Sequence, residues 1–237
     1  MSLIDEKSRG VFAIAVTPFT EDGVVDFASI DSMVDFYLES GCSGLTILGV
    51  MGEAPKLTAE EAVGFTRRVI KRAGNTPVVV GVSGPAFSPM RALTNEVMDF
   101  GAAGVMIAPM AGLNTDQKIE SYFRSVTELL GKTPIVLQDY PPSNGVYFST
   151  NLLVKLFNDL PTLQILKHED WPGLKKVTEF RGAEVSANIR RISILVGNGG
   201  LFLPQELQRG VDGAMTGFAF PDMLVRVVKL HAEGKED

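Results

Sequence analysis

Residues 77–109 read PVVVGVSGPAFSPMRALTNEVMDFGAAGVMIAP, and this stretch contains the pattern that decides the fold. Two short apolar runs, at 77–82 and 104–109, flank a segment with helical spacing at about 88–100. Each run is apolar throughout and does not alternate with polar residues. This predicts strands buried on both faces, and hence a parallel sheet covered by helices. We interpret the stretch as a strand–helix–strand unit of about 30 residues.

The same alternation continues in both directions along the chain. Thr58 and Glu61, three residues apart, predict a capping box at the start of the second helix. Eight such units in 237 residues favour a single closed (β/α)8 barrel domain, a TIM barrel, over residues 1–237, because this fold typically takes about 250 residues. An open doubly wound sheet is the alternative, but no G-x-G-x-x-G motif follows the first strand. The other strands are predicted at 11–16, 44–49, 134–139, 163–167, 192–197 and 213–217, and the other helices at about 26–40, 59–73, 116–130, 149–158, 172–180, 201–209 and up to about 233.

The composition narrows the class of protein. A formal net charge of −6 gives no basic surface for nucleic acid or for an anionic membrane, so neither partner is expected. The chain has no run of about 18 apolar residues, and its polar N-terminus does not resemble a signal peptide. The single cysteine, Cys42, excludes an internal disulfide and fits a cytoplasmic location. His168 and His231 are the only histidines, and no cluster with metal-ligand spacing is present, so no metal is predicted.

In a barrel of this kind the chemistry gathers at the C-terminal ends of the strands. Lys167 is the only basic side chain among the candidates, and it ends the apolar run LQILK. Burial would strip water from its ammonium and favour the nucleophilic free amine, although a solvated lysine after a strand is the alternative. The candidates are Thr17, residues 49–53, Ser83, residues 109–111, 138–142, 167–170 and 197–200, and residues 216–218.

Four motifs at these strand ends form a recognisable set. They are TPF at 17–19, GVMGEAPKLTAEE at 49–61, P-x-x-x-G at 141–145 and ILK at 165–167. In this order they resemble the dihydrodipicolinate synthase and N-acetylneuraminate lyase family, over nearly the whole chain.

The resemblance implies a class I aldolase barrel without cofactor or metal, in which Lys167 forms a Schiff base with pyruvate or another 2-keto acid. It also implies that the turn Gly49, Val50, Met51 and Gly52 binds the carboxylate through backbone N–H groups, with Glu53 bracing the turn. Glycines are expected there because the turn is tight and in places needs a positive φ. The region of Gly197 and Thr216 would line the pocket.

The resemblance also implies a homo-oligomer, a dimer or tetramer. Family members usually continue into a C-terminal helical region, which this sequence lacks, since it ends at GKED.

Several positions depart from the family pattern. Val50 and Met51 stand where the synthases carry two threonines, one of which relays protons, and Gln138 stands at the position of a catalytic tyrosine. A second tyrosine, after the fourth strand, is also missing from the region of residues 110–111, and Ser143 replaces a substrate-binding arginine. The sequence therefore predicts a Schiff-base lyase or aldolase that is not a genuine dihydrodipicolinate synthase.

Tyr140 offers a replacement for the missing tyrosine. It has the same strand parity as Gln138, so both would face the barrel axis if the strand stays extended. We predict Tyr140 as the acid–base residue and Gln138 as a substrate-orienting residue; an aromatic plug beside Pro141 and Pro142 is the alternative for Tyr140. His168, next to Lys167, is expected on the other face of the strand.

Two other functions stay open from the sequence. The segments GNGG at 197–200 and GAMTG at 213–217 are typical of phosphate loops after strands seven and eight, which would indicate a phosphosugar aldolase or isomerase. A non-catalytic barrel that binds a small ligand is the third possibility.

Overall fold

Eight parallel strands close into a barrel in the computed structural model, which describes residues 2–186 and 189–235. The strands follow one another around the barrel in chain order, and the first pairs with both the second and the eighth. The predicted (β/α)8 TIM barrel is therefore confirmed. The strands are β1 Gly10–Ile14, β2 Gly44–Ile47, β3 Val78–Gly81, β4 Gly104–Ile107, β5 Ile135–Asp139, β6 Leu163–His168, β7 Ser193–Val196 and β8 Gly213–Thr216.

Helices follow the strands and cover the outside of the barrel. The predicted capping box is present, since Thr58 accepts a hydrogen bond from the Glu61 amide and Glu61 accepts one from the Thr58 amide. Short 3₁₀ turns occupy 54–56 and 198–200. The helices are α1 Ile30–Glu39, α2 Ala59–Ala73, α3 Phe87–Asp99, α4 Asp116–Leu130, α5 Pro141–Asn144, α6 Thr150–Asp159, α7 Leu174–Ser186, α8 Leu203–Leu207 and α9 Pro221–Ala232.

The seventh helix differs most from its predicted range of 172–180. Gly173 has φ +45°, so the helix begins only at the following residue. At the other end, the Glu184 carboxylate pairs with Arg181 and accepts the amide of Ile192 just before β7. These contacts hold the last turns of α7 against the next strand, and the helix therefore extends well past residue 180.

Alternate residues of each strand point into the barrel and fill its axis. Val136, Ile165, Leu195 and Met215 belong to one buried cluster inside the barrel, while the other face of each strand packs under the helices. Side chains two residues apart share a face. The inward row that contains Ile165 therefore continues to Lys167 at the C-terminal mouth.

None of the helices in the described part of the chain is both long and apolar enough to span a bilayer. The chain ends shortly after α9, at residue 237.

Candidate active site

Lys167 lines a cavity of about 210 Å³ at the C-terminal mouth of the barrel. Its side chain is 4% exposed and follows the apolar row inside the barrel, as the sequence predicted for a buried strand-end lysine. An amine in such a place is available to a small molecule in the cavity but shielded from bulk water. The cavity is lined by Ile14, Val50, Met51, Gln138, Tyr140, Lys167, Glu169, Asn198, Gly199, Thr216 and Gly217.

The Glu169 carboxylate is the direct partner of this lysine. Its Oε2 lies 3.0 Å from Lys167 Nζ and accepts a hydrogen bond of 2.7 Å from Gln138 Nε2. All three side chains are buried. Because Gln138 pairs with Lys167 in the β5–β6 register, the two neighbouring strands present both donors to the same oxygen. The result is a buried ion pair completed by an amide, which lowers the cost of burying either charge.

Gly197 makes the space that this carboxylate occupies. A Cβ at residue 197 would lie 2.2 Å from Glu169 Oε1 and 2.3 Å from its Cγ. The backbone of Glu169 is also held from both sides, because its amide donates to the Asp139 carbonyl at 2.8 Å and its carbonyl accepts from Asn198 Nδ2 at 3.3 Å. Glu169 is therefore fixed in both backbone and side chain.

The turn at residues 49–52 forms another wall. Among the described residues, its four backbone amides donate no hydrogen bond, which leaves them available to an anion. Thr17 Oγ1 donates a buried hydrogen bond of 2.6 Å to the Gly52 carbonyl and ties the turn to β1. The turn therefore presents free amides on a fixed backbone.

The expectation of positive φ at the two glycines of this turn is wrong. Leu48 and Glu53, which flank the turn, have φ +54° and +55°. Gly52 is required for another reason: a Cβ there would lie 3.1 Å from the Leu48 amide and 3.3 Å from that of Gly49. Glu53 braces the turn as predicted, because its backbone amide donates a hydrogen bond to the Val50 carbonyl and its side chain forms an exposed ion pair with Lys56.

The model of the dihydrodipicolinate synthetase family matches residues 7–237. The chain belongs to this family. A crystal structure of dihydrodipicolinate synthase from Rhodopseudomonas palustris superposes with a TM-score of 0.97 at 52% identity, covering 100% of this chain and 79% of that one.

Two relatives of known function are more distant in sequence. L-2-keto-3-deoxyarabonate dehydratase of Azospirillum brasilense is 28% identical over 240 residues, which cover 98% of this chain and 75% of the relative. 4-Hydroxy-tetrahydrodipicolinate synthase of Oceanobacillus iheyensis is also 28% identical, over 208 residues, 87% of this chain and 68% of the relative. Enzymes of the dihydrodipicolinate synthetase family are class I aldolases and lyases with Schiff-base chemistry, and the chain is a lyase of this kind at the family level.

The departures from the family pattern lie around the same cavity. Val50 and Met51 are 62% and 41% exposed and line it with apolar atoms at the positions of the two family threonines. Met51 packs on Gly217, where a Cβ would lie 1.9 Å from its sulfur. Beyond Val50 and Gln138, a neighbouring cavity of about 490 Å³ continues over the ends of β2, β3 and β4 and includes Gly49 in its lining.

Tyr140 lines the 210 Å³ cavity with Gln138, although β5 ends at Asp139 and the chain then turns into α5. Within the described residues its hydroxyl makes no hydrogen bond. Thr216 also lines the cavity, and its Oγ1 accepts the Gly199 amide at 2.8 Å. Three amides of the GNGG segment are already paired within the protein, because Gly197 donates to the His168 carbonyl and Gly200 to the Gly197 carbonyl. Of the residues predicted for the site, Gly52 and Gly197 lie behind the lining, in supporting positions.

Glu169 falls within the candidate range 167–170, but the sequence interpretation assigns it no role. Residue 169 has the same strand parity as Lys167, which would place both side chains on one face, as for Tyr140 and Gln138. The predicted strand ends at Lys167, whereas β6 continues to His168.

A second group of charges lies on the outer face of β5 and β6. Lys176 Nζ is 2.7 Å from Asp139 Oδ2 and 3.0 Å from Asp170 Oδ2, and His168 Nδ1 lies 3.4 Å from Asp139 Oδ2. His168 therefore faces away from the cavity, as predicted. Lys176 is largely buried although it lies on a helix, since its side chain is only 12% exposed. Burial raises the pKa of the nearby Glu206 to about 7, and the charge of His168 partly opposes this rise.

Proposed function

We propose that the protein is a Schiff-base-forming lyase or aldolase that acts on pyruvate or another 2-keto acid through Lys167. The observation that carries the proposal is the buried Lys167 amine, which opens into a cavity at the catalytic end of a barrel of this family. An amine partly removed from water can add to a ketone carbonyl, and the protonated imine then acts as an electron sink for bond cleavage or formation at the next carbon.

The turn at residues 49–52 is the proposed carboxylate site. Val50 and Met51 line the Lys167 cavity and their amides are unpaired among the described residues, and a keto acid whose C2 is at Lys167 Nζ needs donors for its carboxylate. The apolar atoms of Ile14, Val50 and Met51 suit the hydrocarbon part of the substrate. In this proposal Gln138 orients the substrate, and Tyr140, which the sequence predicts as the acid–base residue, lines the cavity beside it.

The substrate is not expected to be that of dihydrodipicolinate synthesis. The family threonines are replaced by Val50 and Met51, and the position of the arginine is occupied by Ser143, whose hydroxyl donates to the Tyr140 carbonyl at 2.9 Å. A carboxylate on the second substrate would therefore lack its usual partner. The neighbouring 490 Å³ cavity favours a bulkier or less polar substituent on the keto acid. A cytoplasmic homo-oligomer without cofactor stays a prediction.

Borohydride reduction in the presence of pyruvate tests the proposal. We expect a stable mass increase on the peptide that contains Lys167, and loss of the adduct in Lys167→Arg. Lys176 is an internal control, because it is also largely buried but is paired with Asp139 away from the cavity. Intact, folded protein that gains no adduct with pyruvate or with larger 2-keto acids would reject the proposal in favour of a ligand-binding barrel. Turnover of a phosphosugar without an adduct would favour the phosphosugar alternative.

A further inference from the structure

The family relay that serves the Schiff-base lysine has lost its hydroxyl groups here. Val50 and Met51 have no proton to exchange, and the tyrosine position is Gln138, an amide. Tyr140 lines the cavity, but its hydroxyl is not hydrogen bonded to Lys167 or to Glu169. The titratable group in direct contact with the reacting nitrogen is the Glu169 carboxylate, 3.0 Å away.

We infer that Glu169, and not Tyr140, is the acid–base residue that carries protons to and from the Lys167 nitrogen during imine formation. The inference rests on the proposed Schiff-base function and names the group that makes it possible without the family relay. Glu169 counts as a catalytic residue in this inference because it touches the nitrogen that reacts.

Lys167, Glu169 and the keto acid account for every proton in imine formation. Glu169 takes one proton from the Lys167 ammonium, and the free amine forms a bond to C2 of the keto acid while the C2–O π bond breaks. The protonated Glu169 gives its proton to the carbonyl oxygen, which becomes the hydroxyl of a carbinolamine, and takes one proton back from the nitrogen. Glu169 then returns its proton to that hydroxyl, the C–O bond breaks, and water leaves. The ammonium and the ketone thus become a protonated imine and one water, and Glu169 ends ionised as it began.

The position of Glu169 favours exchange of protons over a purely structural ion pair. Oε2 contacts Lys167 Nζ and accepts a hydrogen bond from Gln138. Within the described residues, Oε1 accepts no hydrogen bond and is not one of the fully buried polar atoms that lack a partner. Oε1 is the oxygen that fills the space over Gly197. The carboxylate therefore has one oxygen committed to the lysine and one without a hydrogen-bond partner among the described residues, on which it can carry a proton.

The ion pair also fits the binding of an anionic substrate. Lys167 and Glu169 together carry no net charge, so the keto acid does not meet an uncompensated carboxylate in the cavity. Its own carboxylate is left to the amides of residues 49–52. Gln138 holds Glu169 at 2.7 Å and keeps it beside Nζ when the nitrogen changes from ammonium to amine.

The test is the rate at which borohydride traps pyruvate on Lys167. General acid–base residues contribute about 10²- to 10⁴-fold, so we expect Glu169→Gln to slow trapping by about 100-fold or more. Asp170→Asn is the matched control: it makes the same change one residue further along, where the carboxylate faces Lys176 and not the cavity, and we expect it to trap at the wild-type rate.

A second variant separates chemistry from folding. Glu169→Ala removes the carboxylate but leaves space for formate, and added formate is expected to accelerate trapping in this variant in proportion to its concentration and not in the wild type. Thermal unfolding verifies that each variant is folded.

Trapping by Glu169→Gln at the wild-type rate would overturn the inference while leaving the Schiff base intact, and so would a slow Glu169→Ala that does not respond to formate. If Tyr140→Phe lost trapping while the Glu169 variants kept it, Tyr140 and not Glu169 would be the acid–base residue. Absence of an adduct in the wild type would instead reject the proposed function itself, so the two failures are distinguishable.

Discussion

Gly197→Ala is the most direct test of how the site is assembled. Gly197 has φ −107° and ψ −136°, so its φ is not the left-handed value that favours glycine, and the expected effect is worked from the clash of the new Cβ. That atom would lie 2.2 Å from Glu169 Oε1, whereas ordinary contact begins at 3.4 Å, so the carboxylate must move by about 1.2 Å (3.4 − 2.2).

A displacement of this size would disrupt the contacts of 3.0 and 2.7 Å to Lys167 and Gln138. Hydrogen bonds to charged groups are worth about 1.5–3 kcal/mol each, and we expect Gly197→Ala to lower the free energy of unfolding by about 3 kcal/mol after local relaxation. Urea unfolding of the wild type and the variant measures this. Gly84→Ala is the control, because a Cβ at Gly84 has no neighbour within 4 Å.

A double-mutant cycle decides whether Glu169 is the cause. If the cost arises from the carboxylate, Gly197→Ala should cost little in a Glu169→Ala background, with a coupling energy close to the full effect. An equal cost in both backgrounds would refute the steric argument.

Three further predictions concern other contacts. The buried Glu206 should be ionised only at a cost in stability, because its pKa lies near 7 in the fold and at about 4.5 in the unfolded chain. The wild type therefore loses stability as the pH rises between these two values. We expect Glu206→Gln to be more stable than the wild type by about 2 kcal/mol at pH 8 and nearly equal to it at pH 4, as measured by urea unfolding. Asp139→Asn should cost about 3 kcal/mol in urea unfolding, because the largely buried Lys176 would keep only Asp170; a change below about 1 kcal/mol would contradict this. Thr17→Val should cost about 1–3 kcal/mol, because the Gly52 carbonyl loses its buried donor, and proteolysis within residues 49–56 should become faster than in the wild type.

The fold was predictable because its signal repeats. Eight apolar runs that do not alternate with polar residues, each followed by a helical segment, favour a closed parallel barrel in a chain of this length. The helix α4 occupies its predicted range of 116–130. The short α5 was not predicted, because Pro141 and Pro142 normally indicate a turn and only the context after β5 makes them the first residues of a helix. Local propensity does not contain that context.

The site was predictable where it depends on strand ends and motifs. Lys167, Gln138 and Tyr140 line one cavity because they end neighbouring strands, and strand ends follow from the alternation. The Glu169 contact depends on where β6 stops and on the backbone of β7, where Gly197 leaves space. A glycine in a sequence does not say which side chain fills the volume it leaves, so this contact required the structure.

Gln138, Glu169 and Gly197 are best understood as one mutually dependent group. The side-chain amide of residue 138 is the second donor to the carboxylate. A tyrosine in the family position would carry its hydroxyl at the end of a longer side chain. Any side chain at residue 197 would expel the carboxylate, and without it the buried Lys167 would lose its counter-ion. Returning a tyrosine to position 138 alone would therefore remove a support of the present ion pair without rebuilding the family relay, since residues 50 and 51 would still lack hydroxyls. The three residues depend on one another because Gln138 and Gly197 both hold the Glu169 carboxylate in place.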